Sequence, residues 1–242
     1  MAAPDVATLQ AILSGLPTGW SVSNEAESDN VPWRFAVLRD ANGYRVIQGD
    51  GYEQVCADLD LAVWLLRTQM RRYVGHHSES LVFVHAGVVA HQGRAILLPG
   101  RSFAGKSTLV VALVRAGADY YSDEFAMLDE AGRVAKYLEP IQLRGPDGPE
   151  VLTLDSDTPQ DPVPVGLVAV TTYNPGAEWS PRRLSTGQGV LAMMEHAAPA
   201  RDKPAETLSI LRLALADAEI LQGERGEAEE TARALLEAAA GT

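Results

Sequence analysis

Apolar positions along the chain repeat with helical spacing in some segments and with strand spacing in others. Residues 59–74 carry apolar side chains three to four positions apart with a basic face between them, which predicts a helix packed against a core. Residues 81–90 and 94–98 are short, almost continuous apolar runs, as is typical of buried strands. The turn around Gln92 and Gly93 is short, so these two strands are predicted to be antiparallel.

The same patterns predict the remaining elements. Further helices are expected over residues 4–14, 107–116, 185–196, 205–215 and 227–239. Further strands are expected over 35–38, 44–47, 119–122, 134–138, 141–143, 151–154, 165–173 and near 220. Ser185 and Gln188 have the spacing of a capping box at the start of one helix. Residues 197–204 contain charges and two prolines, which makes them a candidate for a loop that closes over a substrate.

This order of elements predicts an α/β fold in two parts. Residues 1–78 are expected to form a small α+β portion, and residues 79–242 a larger domain with a mixed sheet, because the hairpin introduces antiparallel pairing.

Composition and charge narrow the classes of partner. The chain has 242 residues, of which 46% are apolar and 21% charged, as in an ordinary globular protein. Its net charge is −12, and no long run of Lys and Arg is present, so we expect no nucleic-acid partner. The single cysteine, Cys56, cannot form an intramolecular disulfide or a Cys-type zinc site.

No segment has the pattern of a targeting or membrane-spanning sequence. The first ten residues lack the basic and apolar regions of a signal peptide, and no apolar run approaches the ~20 residues that span a bilayer. We therefore expect a cytoplasmic protein without a membrane partner.

One segment matches a phosphate-binding motif in full. Residues 100–108 read GRSFAGKST, which fits the pattern G-x-x-x-x-G-K-[ST]. In this motif the backbone N–H groups surround phosphate oxygens, Lys106 reaches the β- and γ-phosphates, and the Ser107 hydroxyl binds Mg²⁺. The predicted nucleotide-binding residues are Gly100, Arg101, Ser102, Phe103, Ala104, Gly105, Lys106, Ser107 and Thr108.

The surroundings of the motif strengthen this interpretation. An apolar strand is predicted over 94–98 and a helix over 107–116, so the motif lies in the order strand, loop, helix that a phosphate loop requires. The helix adds the positive end of its dipole to the same site. The chain contains no [NT]-K-x-D guanine motif, so ATP with Mg²⁺ is the predicted cofactor.

Two carboxylates follow the next predicted strand. Asp123 and Glu124 come at the end of residues 119–122, where ligands gather in open α/β sheets. One acid could accept a proton from a hydroxyl while the other helps to hold Mg²⁺, and phosphoryl transfer requires little else besides positioning. The alternative is an acidic pair on the surface that caps a turn.

His85 is the third candidate for chemistry. If the hairpin turn centres on Gln92 and Gly93, the numbers of paired residues sum to 185, so His85 faces Gly100. There it could contact the γ-phosphate or the acceptor. A histidine packed in the core is the alternative, and Lys106 is the strongest single candidate for catalysis.

The segment VHAGVVAHQGRAILLPGRSFAGKSTLVVALVRAGADYYSDE (residues 84–124) resembles the catalytic core of the HPr kinase/phosphorylase family. That family has a histidine at the head of a hairpin, then the phosphate loop, a helix and a pair of aspartates. Glu124 stands where the family has its second aspartate. The resemblance is strong over residues 82–130 and weak elsewhere, and some short relatives phosphorylate lasso-peptide precursors.

The resemblance implies a fold and a set of roles. The fold would be the phosphoenolpyruvate-carboxykinase-like P-loop type with a mixed sheet. Asp123 would be the base that acts on a Ser hydroxyl, and His85 would line the phosphate site. The metal ligands would come from Ser107, Glu124 and Asp123. It also implies a homo-oligomer, because members of that family form oligomers.

We therefore expect an ATP- and Mg²⁺-dependent kinase that phosphorylates a hydroxyl. The acceptor would be a Ser of a peptide or protein, or a small-molecule alcohol. The alternative is a switch or assembly module that binds and hydrolyses ATP without a dedicated acceptor.

Overall fold

The structure is a computed structural model that describes residues 3–13, 35–49, 51–101, 104–145, 148–154 and 161–241. It divides into two compact units, Met1–Val74 and Gly75–Thr242. The boundary lies within one long helix, shortly before the division predicted after residue 78. Each unit has buried clusters of its own.

The first unit combines two helices with a small antiparallel sheet. Its elements are α1 (Val6–Leu13), β1 (Phe35–Asp40), β2 (Gly43–Gln48), β3 (Tyr52–Cys56) and α2 (Leu59–His77), whose last residues belong to the second unit. The strand order is β1-β2-β3. Asp40 pairs with Gly43, so the hairpin turn lies at residues 41–42. Ile12, Val37 and Leu66 are fully buried at its core.

The second unit begins with the predicted hairpin. Its strands are β4 (Val82–His91), β5 (Arg94–Pro99), β6 (Asp119–Ser122), β7 (Phe125–Leu128), β8 (Val134–Ala135), β9 (Ile141–Gly145), β10 (Gly148–Leu152), β11 (Val165–Tyr173), β12 (Arg182–Arg183) and β13 (Glu219–Arg225). Its further helices are α3 (Lys106–Arg115), α4 (Thr186–Met194), α5 (Pro204–Ala214) and α6 (Ala228–Ala240). The capping box is confirmed, because Ser185 and Gln188 exchange both hydrogen bonds at the start of α4.

The main sheet is mixed, as the sequence predicts. In the described part of the chain its order is β12-β13-β11-β5-β4-β7-β8, with β6 also paired to β4. β11 runs parallel to β5 and to β13, whereas β4 runs antiparallel to β5, β6 and β7. The α/β class with a mixed sheet is therefore confirmed.

The register of the central hairpin is also confirmed. Ala86 pairs with Pro99 and His91 with Arg94, so the paired numbers sum to 185. Gln92 has φ 51° and Gly93 has φ 78°, and two left-handed residues form the tight turn that suits the twist of the strands.

Helices cover both faces of this sheet. α4 and α5 pack on one face, with Val88, Leu97, Met193 and Leu211 among the buried residues. α3 and α6 pack on the other, with Leu98, Leu109, Leu113 and Leu235 among them. The segment that carries the predicted phosphate-binding motif thus follows a central strand and precedes a helix that is anchored by a buried apolar face.

Some predicted elements differ from the structure. The strand expected over 134–138 is limited to Val134–Ala135, while β3, β7 and β12 were not predicted. The segment 197–204 contains a short 3₁₀ helix, Ala198–Ala200, and the first residue of α5. Within the described ranges, none of the helices is long and apolar enough to cross a membrane.

Candidate nucleotide-binding and catalytic site

The predicted phosphate loop lies between β5, which ends at Pro99, and α3, which begins at Lys106. Gly105 precedes the helix with left-handed angles, φ 75° and ψ 22°, and no side chain caps the first turn. The N–H groups at this helix start are therefore available to an anion, and the helix dipole favours negative charge there. Ser102 and Phe103, two predicted loop residues, lie outside the described residues.

Lys106 is buried inside its own loop. Its Nζ donates to the carbonyl oxygens of Gly100 at 3.0 Å and Arg101 at 2.9 Å, and lies 3.1 Å from His85 Nε2. These three contacts match the three N–H donors of an ammonium group. Burial lowers the pKa of Lys106, while the charges of Asp123 and Glu124 oppose that shift.

His85 connects Lys106 to the acidic pair. Its Nδ1 lies 2.9 Å from the backbone oxygen of Glu124, an acceptor, while its Nε2 faces the Lys106 donor. A neutral imidazole protonated on Nδ1 satisfies both contacts. Burial, and secondly the Lys106 charge, lowers the pKa of His85, which favours the same neutral form. The structure therefore brings His85 into the candidate site.

The acidic pair occupies the short link between β6 and β7. Both strands pair with β4, through Val88 to Ser122 and His85 to Phe125, so the link lies opposite the end of β5. The Ser122 hydroxyl accepts hydrogen bonds from the backbone N–H groups of Glu124 at 3.2 Å and Phe125 at 3.0 Å. These bonds fix the turn that directs Asp123 and Glu124 toward the phosphate loop.

The Asp123 carboxyl lies in a strongly perturbing electrostatic environment. Its Oδ1 is buried and has no hydrogen-bond partner among the residues that the structure describes. Burial raises the pKa of Asp123 to about 7, and a hydrogen bond from Ser107 opposes the shift. A buried oxygen without a donor costs free energy, so a ligand that supplies a cation or a hydroxyl would stabilise this carboxylate.

The chemistry of the donor set fits Mg²⁺ bound together with phosphates. Among the described residues no group of three His, Cys, Asp or Glu side chains could hold a metal by itself. Mg²⁺ in nucleotide sites uses one or two carboxylates and leaves other positions to phosphate and water. Ser107, Asp123 and Glu124 offer a hydroxyl and two carboxylates, and the unpartnered Oδ1 of Asp123 is consistent with such a ligand.

The remaining predicted loop residues lie around this centre. Arg101 and Thr108 are exposed, whereas Ala104, Gly105 and Ser107 are partly buried. Gly100 donates its N–H to the His85 carbonyl oxygen at 3.5 Å, so these two residues face each other at the end of the hairpin.

Two residues that sequence reasoning missed lie next to the site. Arg225, at the end of β13, donates from Nη2 to the Gly105 carbonyl oxygen at 2.9 Å. The backbone oxygen of His196 accepts the N–H of His85 at 2.8 Å. Their positions 120 and 111 residues from these partners explain why no local pattern revealed them.

The segment predicted to close over a substrate begins beside the site. Ala197 bridges to Val84 of β4. Further along, Lys203 Nζ donates to the Ser78 carbonyl oxygen at 2.9 Å and Asp202 Oδ2 lies 3.1 Å from His76 Nδ1. The segment is thus fixed at both ends, and closure over a substrate stays a prediction.

The chain matches no protein-family model, and no curated protein is significantly similar to it.

Proposed function

We propose that this protein is an ATP- and Mg²⁺-dependent kinase that transfers the γ-phosphate to a hydroxyl. The observation that carries the proposal is the position of Asp123, a partly buried carboxyl with a pKa raised to about 7, at the phosphate loop. A carboxylate whose pKa lies near the working pH is more basic than an ordinary one, so ionised Asp123 is suited to act as a general base.

The fold assigned under this proposal is the phosphoenolpyruvate-carboxykinase-like P-loop type. The antiparallel pairing of β4 with β5, immediately before the loop, supports it, because many other P-loop proteins have wholly parallel sheets. The resemblance of residues 84–124 to the HPr kinase/phosphorylase family supports the same assignment, with a Ser-type acceptor.

In the proposed mechanism the chain positions ATP and neutralises its charge. Loop N–H groups and Lys106 bind the phosphates, for which Lys106 gives up its contacts with the loop carbonyls. Ser107 and Glu124, together with Asp123, would hold Mg²⁺, which when bound neutralises charge on the phosphates. His85 orients Lys106 through Nε2 and is itself held by the Glu124 carbonyl oxygen.

Asp123 then assists the transfer. It accepts the proton of the acceptor hydroxyl while that oxygen forms a bond to the γ-phosphorus and the bond to the ADP oxygen breaks. The products are a phosphate ester and ADP. The acceptor is a Ser of a peptide or protein, or a small alcohol, and the setting is the cytoplasm, where ATP is supplied.

The proposal is tested by transfer of label from γ-labelled ATP with Mg²⁺ to free serine and to Ser-bearing peptides. The decisive variant is Asp123→Asn, with Asp119→Asn as the matched control at the other end of β6. We expect label in an acceptor with the wild type and the control, and its loss with Asp123→Asn while ATP binding is retained.

A different result would favour the alternative function. Tight ATP binding and slow hydrolysis, with a conformational response and no labelled acceptor, would indicate a nucleotide-dependent switch or assembly module. Absence of ATP binding would overturn both functions.

A further inference from the structure

Arg225 is a buried cation in an unusual setting. Only 2% of the residue is exposed, although arginine is rarely buried to this degree unless it is paired. Among the described residues its hydrogen-bond acceptors are backbone carbonyl oxygens: Gly226 at 3.1 Å from Nη1, and Gly105 at 2.9 Å and Ala104 at 3.5 Å from Nη2. Its Nε has no partner there. Two of these three carbonyl groups, those of Ala104 and Gly105, belong to the predicted phosphate loop.

The neighbouring strand also supplies an aromatic ring to this guanidinium. Arg225 is the last residue of β13 and pairs with Tyr173 of the parallel strand β11. Its Cζ lies 5.2 Å from the centroid of the Tyr173 ring, within the range of a cation–π contact. The guanidinium therefore contacts both the Tyr173 ring and the loop.

Gly105 is shaped to receive the guanidinium. A Cβ built at Gly105 would lie 2.5 Å from Arg225 Nη2, a distance at which one of the two must shift. The Gly105 carbonyl oxygen also accepts the N–H of Leu109 at 3.2 Å, a bond that begins α3. Arg225 and the first helical turn therefore hold the same peptide group, the one that turns the loop into the helix.

We propose that Arg225 is a positioning residue that fixes the phosphate loop in its anion-binding conformation. It acts through the carbonyl groups of Ala104 and Gly105, whose orientation determines where the following N–H groups point. Its positive charge adds to the field of the helix start. This inference rests on the proposed function, since it concerns binding of the ATP phosphates.

The test is the dissociation constant of Mg²⁺–ATP, measured beside the free energy of unfolding, for Arg225→Met and Arg225→Lys. Arg94 provides a matched control: it donates to the carbonyl oxygens of Val165 at 3.3 Å and Asp217 at 3.1 Å, at the end of β5 away from the loop. We expect Arg225→Met to weaken ATP binding roughly tenfold to a hundredfold, as for loss of charged hydrogen bonds. We expect Arg94→Met to lower stability without this loss.

Arg225→Lys tests the same role if Arg225→Met does not fold. A lysine retains the charge but not the planar fork that reaches both Gly105 and Gly226, so we expect Arg225→Lys to bind ATP with intermediate affinity. We also expect the effects of Gly105→Ala and Arg225→Lys on affinity to be non-additive, because the two groups touch.

The outcomes separate this inference from the proposed function. Wild-type affinity in both Arg225 variants, with only their stability lowered as in Arg94→Met, would overturn the positioning role and leave the kinase intact. Failure of the wild type to bind Mg²⁺–ATP would overturn the kinase and this inference together.

Discussion

The ammonium group of Lys106 has three hydrogen-bond partners within the protein, two loop carbonyls and the His85 ring. Under the proposed function, phosphate oxygens would replace at least some of these partners. We expect Lys106→Met to weaken Mg²⁺–ATP binding roughly tenfold or more, because charged hydrogen bonds of about 1.5–3 kcal/mol are lost. Isothermal titration would measure this, with Lys136→Met as the control: Lys136 lies over the Tyr121 ring. Equal losses in both variants would contradict a specific role for Lys106.

Asp123 makes stability depend on pH in a definite direction. Its pKa is raised from the ordinary 3.8 to about 7 in the folded state, so in Mg²⁺-free buffer the folded form binds this proton more tightly than the unfolded form. The group's contribution to stability is present below pH 3.8 and is lost as the pH rises through about 7, with a slope of at most about 1.4 kcal/mol per pH unit.

This slope is measured by urea unfolding in EDTA at about three pH values between pH 5 and pH 7. We expect Asp123→Asn to remove this part of the decline, so that the stability of the variant relative to the wild type grows as the pH rises. Parallel curves for the two proteins would show that Asp123 titrates at its ordinary pKa.

Much of the candidate site could be predicted because its parts are close in sequence. Lys106 is 21 residues from His85, and Glu124 is 39 residues from it, so one motif, one hairpin register and one strand end were enough. Arg225 and His196 could not be predicted in the same way. Their contacts with the site arise from the packing of β13 on β11 and of the segment after α4 on β4, which no local pattern specifies.

At the scale of elements, the β4–β5 turn contains a residue with a strained backbone conformation that a substitution can relieve. Gln92 is the one described residue other than glycine with a positive φ, whereas such turns prefer Asn there. We expect Gln92→Asn to raise the free energy of unfolding by a few tenths to about 1 kcal/mol. Gly93→Ala should lower it, although its Cβ would meet nothing within 4 Å, because φ is 78°. Chemical denaturation measures both, and destabilisation by Gln92→Asn would contradict this account.

The elements that sequence patterns predicted well are those with long or nearly continuous apolar runs. β4 and α2 lie within a few residues of their predicted bounds. The strand predicted over 134–138 and the unpredicted β7 show the limit. β7 has only four residues and β8 only two, so each depends on pairing with a neighbour rather than on its own pattern.

At the scale of the whole molecule, the two units have separate cores. Leu66 is fully buried in the first unit and Leu113 in the second, on the helix that follows the phosphate loop. Leu→Ala at either position should cost about 2–5 kcal/mol. We expect Leu66→Ala to increase hydrogen exchange in Met1–Val74 with ATP affinity unchanged, and Leu113→Ala to increase it in Gly75–Thr242 and weaken ATP binding. Equal exchange throughout the chain in both variants would show a single cooperative unit.

The contact between Arg225 and Gly105 has a consequence for how the chain assembles. The hairpin and the loop it leads into join residues near in sequence, so the entropy of closing these contacts is small. Arg225 comes 120 residues after Gly105 and reaches it only once β13 has paired with β11. We expect the loop to take shape early in folding and to gain its full affinity for phosphate late. Nucleotide binding would then report on completion of the sheet.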